Sequence, residues 1–154
     1  MDTPMNRRVL DFRTIDEVVA DVDQLVSTGY VKVGNWSLGQ ICRHLANFVK
    51  GSIDGFNGPR VSWLIRLFAP LAVRWMRKTR RMPAGVSVPA AYQPGADADD
   101  AAEVARLKEA LRRFELHRGP LHSSPFGGGV ERDECLDMHL IHCSHHLSFL
   151  QPAR

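Results

Sequence analysis

Several things are scarce in this chain, and each scarcity excludes a class. No apolar stretch reaches the roughly 20 residues that a membrane-spanning helix needs, so stable insertion into a bilayer is not expected. The first residues, Met1 to Asp11, are polar and charged and carry no apolar run, so a secretory leader is not expected either. There are only three cysteines, Cys42, Cys135 and Cys143, an odd number without a paired pattern. They read as reduced thiols in a cytoplasmic protein rather than as a disulfide framework. No strand series, internal repeat or low-complexity tract stands out.

The 154 residues fit one domain (1–154), long enough to bury a core without staples. The charge, a net +3, is mild but uneven. Arg74, Arg77, Lys78, Arg80 and Arg81 form a basic cluster, and Asp97, Asp99, Asp100 and Glu103 an acidic one. The basic cluster has the chemistry to meet phosphate or anionic lipid. A solvated helix end, where cations complement the helix dipole, is the favoured reading, and no nucleic-acid partner is expected.

Hydrophobic periodicity places four or five helices. The first starts at Thr14, whose capping-box partner is Glu17, and Ile15, Val18, Val19, Val22 and Leu25 give its apolar face before Gly29 stops it. A short extended connection follows, from Tyr30 to Gly34. The second helix starts at Ser37 with the box partner Gln40 and carries Leu38, Ile41, Leu45, Phe48 and Val49 inward, ending near Gly55. An apolar, aromatic segment over 61–77 contains Pro70, which should kink or split it. Its Trp63 and Trp75 are expected to pack in the crossover or between two copies of a homodimer, with interfacial membrane contact as the alternative. Residues 82–95 are too rich in proline and glycine for regular helix. Loops of that length in compact domains are often functional. Amphipathic helices are expected over 99–116 and 131–150, the last closed by Pro152. These features predict an all-α fold: an antiparallel four-helix bundle built from the helices near 14, 37, 99 and 131, with 61–95 as a long irregular crossover.

The last of these helices holds four histidines within eight residues: His139, His142, His145 and His146. Successive helical residues advance by about 100°, so His142 and His146 share one face and can converge on one ion. A metalloprotease reading fails, because Cys143 follows His142 and no glutamate is placed as base. His139 lies on the same stripe, while His145 lies about 60° to the side of His142. A further ligand must come from a facing helix. His44, set between Ile41, Leu45 and Phe48, is the candidate, since a buried lone imidazole needs a partner. Asn47, close by, is a candidate for orienting a substrate. The set His44, His142 and His146 leaves coordination positions open and suits zinc or nickel.

The run Trp36-Ser37-Leu38-Gly39-Gln40-Ile41-Cys42-Arg43-His44-Leu45 resembles the start of the second helix in DinB-like proteins, and His142-Cys143-Ser144-His145-His146-Leu147 resembles their last helix. Pro83-Ala84-Gly85-Val86-Ser87-Val88-Pro89 is similar to an uncharacterised branch of that superfamily. The resemblance spans about residues 8 to 150. Leu147-Ser148-Phe149 stands where many members have Arg-Gly-Gln. What the resemblance implies is the helical bundle, a divalent metal on the three histidines, and chemistry on a small-molecule substrate. Characterised relatives in the superfamily are metal-dependent enzymes that use low-molecular-weight thiols, among them thiol transferases and a maleylpyruvate isomerase. A non-catalytic, metal-stabilised or stress-related binding protein is the alternative.

Overall fold

Two capping boxes set the frame. In the computed structural model, which describes residues 7–86 and 88–153, the Thr14 hydroxyl accepts from the Glu17 amide while the Glu17 carboxylate accepts from the Thr14 amide. Ser37 and Gln40 repeat the arrangement at the next helix. Each box satisfies donors that a helix start otherwise leaves bare. The helices they open are α1, Ile15–Thr28, and α2, Leu38–Asp54. Both end at a glycine of positive φ, Gly29 and Gly55. Then come α3 (Trp63–Thr79), a short 3₁₀ turn at Ala90–Tyr92, α4 (Asp100–Leu116) and α5 (Arg132–Leu147). The first residues of the chain and Ser87 of the proline-rich motif lie outside the described residues.

The fold among the described residues is mainly helical, with one small addition. Tyr30–Lys32 (β1) pairs antiparallel with Leu150–Pro152 (β2), Val31 opposite Gln151. The last helix therefore stops three residues before the expected end, and the chain turns into a strand that lies against β1 and α1.

The core is the expected set of inward faces. Val18, Val22 and Leu25 of α1, Ile41, Leu45 and Val49 of α2, Val104, Leu107, Leu111 and Phe114 of α4, and Leu140 and Leu147 of α5 are all buried together. Burying each such side chain fully contributes about 1.5–3 kcal/mol.

The arrangement of these helices differs from the expected antiparallel order in one pair. Helices α2 and α4 run side by side in the same direction, as a ladder of polar contacts shows. The Gly39 amide donates to Asp100 Oδ1 at 2.6 Å, Arg43 pairs with Glu103 at 2.7 Å, Arg106 donates to Asn47 Oδ1 at 2.8 Å, and Arg113 bonds Asp54 further along. The long connection between them carries the chain back to the starting end, which a short loop cannot do. The acidic cluster is absorbed by this interface. Asp99 caps α4, Asp100 also accepts from the Tyr30 hydroxyl, and Asp97 and Glu103 hold Arg43.

Pro70 does not split the third helix. It lies in an exposed position of a continuous α3, where the carbonyl it leaves without a donor can be solvated. Nor do the aromatics of α3 pack in the crossover. The helix buries only Ala69 and Val73, which lie against Gly127 and Gly128, and leaves Trp63, Leu67, Phe68, Leu71 and Trp75 exposed. Gly127 has a φ of 98°, and a Cβ there would come within 2.7 Å of Ala69 Cβ. The loop approaches α3 so closely because both partners are small.

A three-histidine cluster between α2 and α5

His44 is carried on the inward side of α2, flanked by Ile41 and Leu45, and is buried. Its Nδ1 lies 2.9 Å from the carbonyl oxygen of Tyr92. A carbonyl only accepts, so Nδ1 carries the proton and Nε2 presents a lone pair to the interior. That lone pair faces His142 Nε2 at 3.1 Å. His146, one turn further along α5, completes the group: ligand atoms of His44, His142 and His146 all lie within 4.8 Å of one another. The structure thus brings together the three histidines singled out in the sequence. No fourth His, Cys, Asp or Glu joins them among the described residues.

The surroundings favour neutral rings. Burial pushes the His142 pKa well below the ordinary imidazole value, helped by His146 and His44. His146 is lowered in the same way, by burial and then by His44, His145 and Arg7. Burial also lowers His44, against the opposing effect of its bond to Tyr92. Neutral imidazoles are the form that binds a metal. The donor set, with an orienting bond behind one ring and no cation among the three, could hold a metal ion.

Aromatic rings fix the cluster from outside. Trp36, the residue before the α2 cap, stacks on His146 with ring centroids 5.3 Å apart and planes 18° apart. Phe48 stands edge-on to His142 at 5.0 Å and also touches His44. Behind it lie Tyr92 and Phe126, so the 82–95 excursion and the loop before α5 both reach this wall. Neither Trp36 nor the Tyr92 carbonyl had a role assigned from sequence. Trp36 could have been noticed, because it adjoins the cap of the histidine-bearing helix. A backbone acceptor leaves no mark in a sequence.

The other candidates fall away for specific reasons. His139 does not join, although it shares the α5 stripe. Helices α2 and α5 run antiparallel here, so a residue one turn back on α5 is level with Ser52, far along α2 from His44. There Nε2 of His139 bonds the Ser52 hydroxyl at 3.0 Å, and Ser52 donates in turn to the Val49 carbonyl. Burial pushes His139 down to about 4. His145 is also lowered to about 4, chiefly by burial, with one ring nitrogen 3.4 Å from the Arg7 guanidinium and a backbone bond to Met82. Asn47 is exposed and accepts from Arg106 on the α4 side, away from the cluster. Cys143 is buried with its thiol pushed up to about 12, and Cys42 is raised by burial as well. Cys135 is buried and donates weakly to the Gly129 carbonyl at 3.6 Å. These thiols behave as small apolar groups. His117 and His122 lie at the surface, as expected.

Two open surface hollows lie elsewhere. One, of about 220 Å³, is lined by His117, Pro120, Leu121 and Arg132; the other, of about 610 Å³, lies between α1 and α4 beside Val19, Asp23, Lys108 and Arg112. Neither includes a histidine of the cluster.

The chain is mainly helical, and two of its helices bring together three imidazoles, one buried (His44) and two half-buried (His142 and His146). The chain matches the family described as "Protein of unknown function (DUF1569)" over residues 5–153, and it belongs to that family. No curated protein and no solved structure matches it significantly.

Proposed function

We propose that this protein is a divalent-metal-binding, single-domain four-helix bundle of the DinB-like kind, with His44, His142 and His146 as the ligands. The observation that carries the reading is the pairing of a converged set with an orienting bond. Ring nitrogens of the three histidines lie within 4.8 Å of one another, and the Tyr92 carbonyl holds the His44 proton on the far nitrogen. In metal sites such a bond behind a ligating histidine sets its tautomer and raises its basicity.

The best-supported role is a metal-dependent transferase or hydrolase acting on a small molecule, with a low-molecular-weight thiol as co-substrate. Three protein ligands leave a position for an exchangeable group, whereas a structural site is closed by a fourth. A bound ion would supply a Lewis acid that lowers the pKa of a thiol or water beside it. The chain's own contribution is orientation and exclusion of water. Trp36 and Phe48 hold the imidazole planes, and Phe126 and Tyr92 extend the apolar wall. A second reading, a non-catalytic metal-stabilised protein, draws on a different observation: the two surface hollows lie away from the histidines.

Elemental analysis of untagged protein, followed by a screen of thiol co-substrates with and without zinc or nickel, separates these readings. Stoichiometric metal with metal-dependent turnover supports the enzyme. Stoichiometric metal that raises thermal stability but supports no turnover supports the second reading. Failure to bind either ion overturns both.

A further inference from the structure

Helix α3 is inside out. At about 100° per residue, Ala69 and Val73 point to the body of the protein, while Leu64, Leu67, Phe68, Leu71 and Trp75 share the opposite face. That face is open: Trp63 is 71% exposed, Leu67 63%, Phe68 61% and Leu71 67%. Contiguous exposed apolar surface of this size marks an interaction site.

Its charge is as one-sided as its polarity. From residue 55 to residue 96 there is no aspartate or glutamate, whereas Arg60, Arg66, Arg74, Arg77, Lys78, Arg80 and Arg81 all lie in this stretch. Arg77 and Arg80 are drawn to the body by Asp137 and Asp11. Arg60, Arg74, Lys78 and Arg81 have no ion-pair partner among the described residues, and Arg74 and Lys78 border the apolar face directly.

We infer that α3 is a peripheral docking surface for an anionic phospholipid bilayer, lying in the headgroup plane with Trp63, Leu67, Phe68, Leu71 and Trp75 seated in the acyl boundary. An amphipathic helix with tryptophan and leucine on one side and arginine or lysine beside them has the composition of an interfacial element. Juxtaposed cations add attraction to anionic headgroups. A symmetric dimer through the same patch places like against like, cation against cation, with no acidic residue on α3 to balance it. No helix of the described residues is long and apolar enough to cross a membrane, so the contact is surface adsorption.

The test uses the full chain and vesicles of phosphatidylcholine alone or mixed with phosphatidylserine. Co-sedimentation with the mixed vesicles only, weakening as salt is raised, is the expected result, together with a blue shift of tryptophan emission that Trp63→Phe/Trp75→Phe abolishes. Arg74→Gln with Lys78→Gln should lower partitioning on the order of twentyfold, at about fivefold per cation removed. Leu67→Gln with Leu71→Gln should abolish it. Both pairs are exposed, so circular dichroism and unfolding curves should match the parent chain. Absence of binding to mixed vesicles overturns the proposal. So does equal binding to both vesicle types, or a lipid-free dimer in sedimentation equilibrium that either double variant dissociates.

Discussion

Two histidine sites lie along one helix pair and illustrate opposite ways of burying an imidazole. His139 meets a single hydroxyl, Ser52, which donates its own hydrogen bond to the Val49 carbonyl. The hydroxyl and the ring nitrogen facing it are both partnered, as suits a neutral ring. Two turns away along α2, His44 meets another imidazole instead, with a third beside them. A metal-free cluster can place one proton between His44 and His142, but His146 is then left against aromatic faces. The lesson is that burial alone does not distinguish a core histidine from a candidate ligand. The nature of the partner does. A hydroxyl gives the His139 ring a hydrogen-bond partner, whereas three imidazoles within 4.8 Å of one another could hold a cation.

The largest effect expected from this contrast is on metal content. His146→Ala should abolish stoichiometric zinc or nickel binding, and His44→Ala and His142→Ala should do the same, whereas His139→Asn should leave it intact. Full metal retained by His146→Ala in elemental analysis would sink the three-histidine assignment.

Acid should act on the His139 site as well. The His139 pKa is about 4 in the folded chain, below the ordinary value of about 6.5 that it takes in the unfolded chain. The unfolded state therefore binds the extra proton between these values, and stability falls as the pH falls from about 6.5 toward 4. Unfolding of the native chain and of His139→Asn, compared at both ends of that window, should show the native chain losing roughly 3 kcal/mol more. Equal losses would mean that His139 is not held neutral by burial.

Ser52→Ala removes the hydroxyl and leaves a buried ring nitrogen without a partner, at a cost of about 1–3 kcal/mol. Chemical denaturation should report that loss, and metal content should not change. The smallest effect belongs to Asn47→Ala, expected within about 0.5 kcal/mol of the parent because the residue is exposed. A loss of metal on that substitution would mean that Asn47 reaches the cluster after all.

Much of this was readable in the residues. The two capping boxes and the inward stripes of α1, α2 and α4 are local, so their chemistry fixes them without knowledge of neighbours. The histidine set was readable because helical spacing joins His142 to His146 and burial singles out His44. What could not be read is what depends on neighbours. Apolar stripes give faces but not partners, so the same-direction pairing of α2 and α4 was hidden. Bulky residues on α3 resemble a core face, and only the packing of Ala69 and Val73 against two glycines reveals which side is turned in. Three-residue strands carry too little pattern to declare themselves. His139 matched the ligand stripe by angle, and the height of Ser52 opposite it decided the matter.

The bond from His44 to Tyr92 has a consequence for how this family can vary. The acceptor belongs to the main chain, so any side chain at position 92 that lets the turn form will keep it. A changed side chain at position 92 then leaves this bond in place, while giving up the ring's contact with Phe48 and the hydroxyl's bond to the Pro59 carbonyl. Insertion or deletion does not, because a shift of one residue carries the carbonyl away and frees the ring to turn. Length, more than spelling, is what this stretch of the chain must preserve.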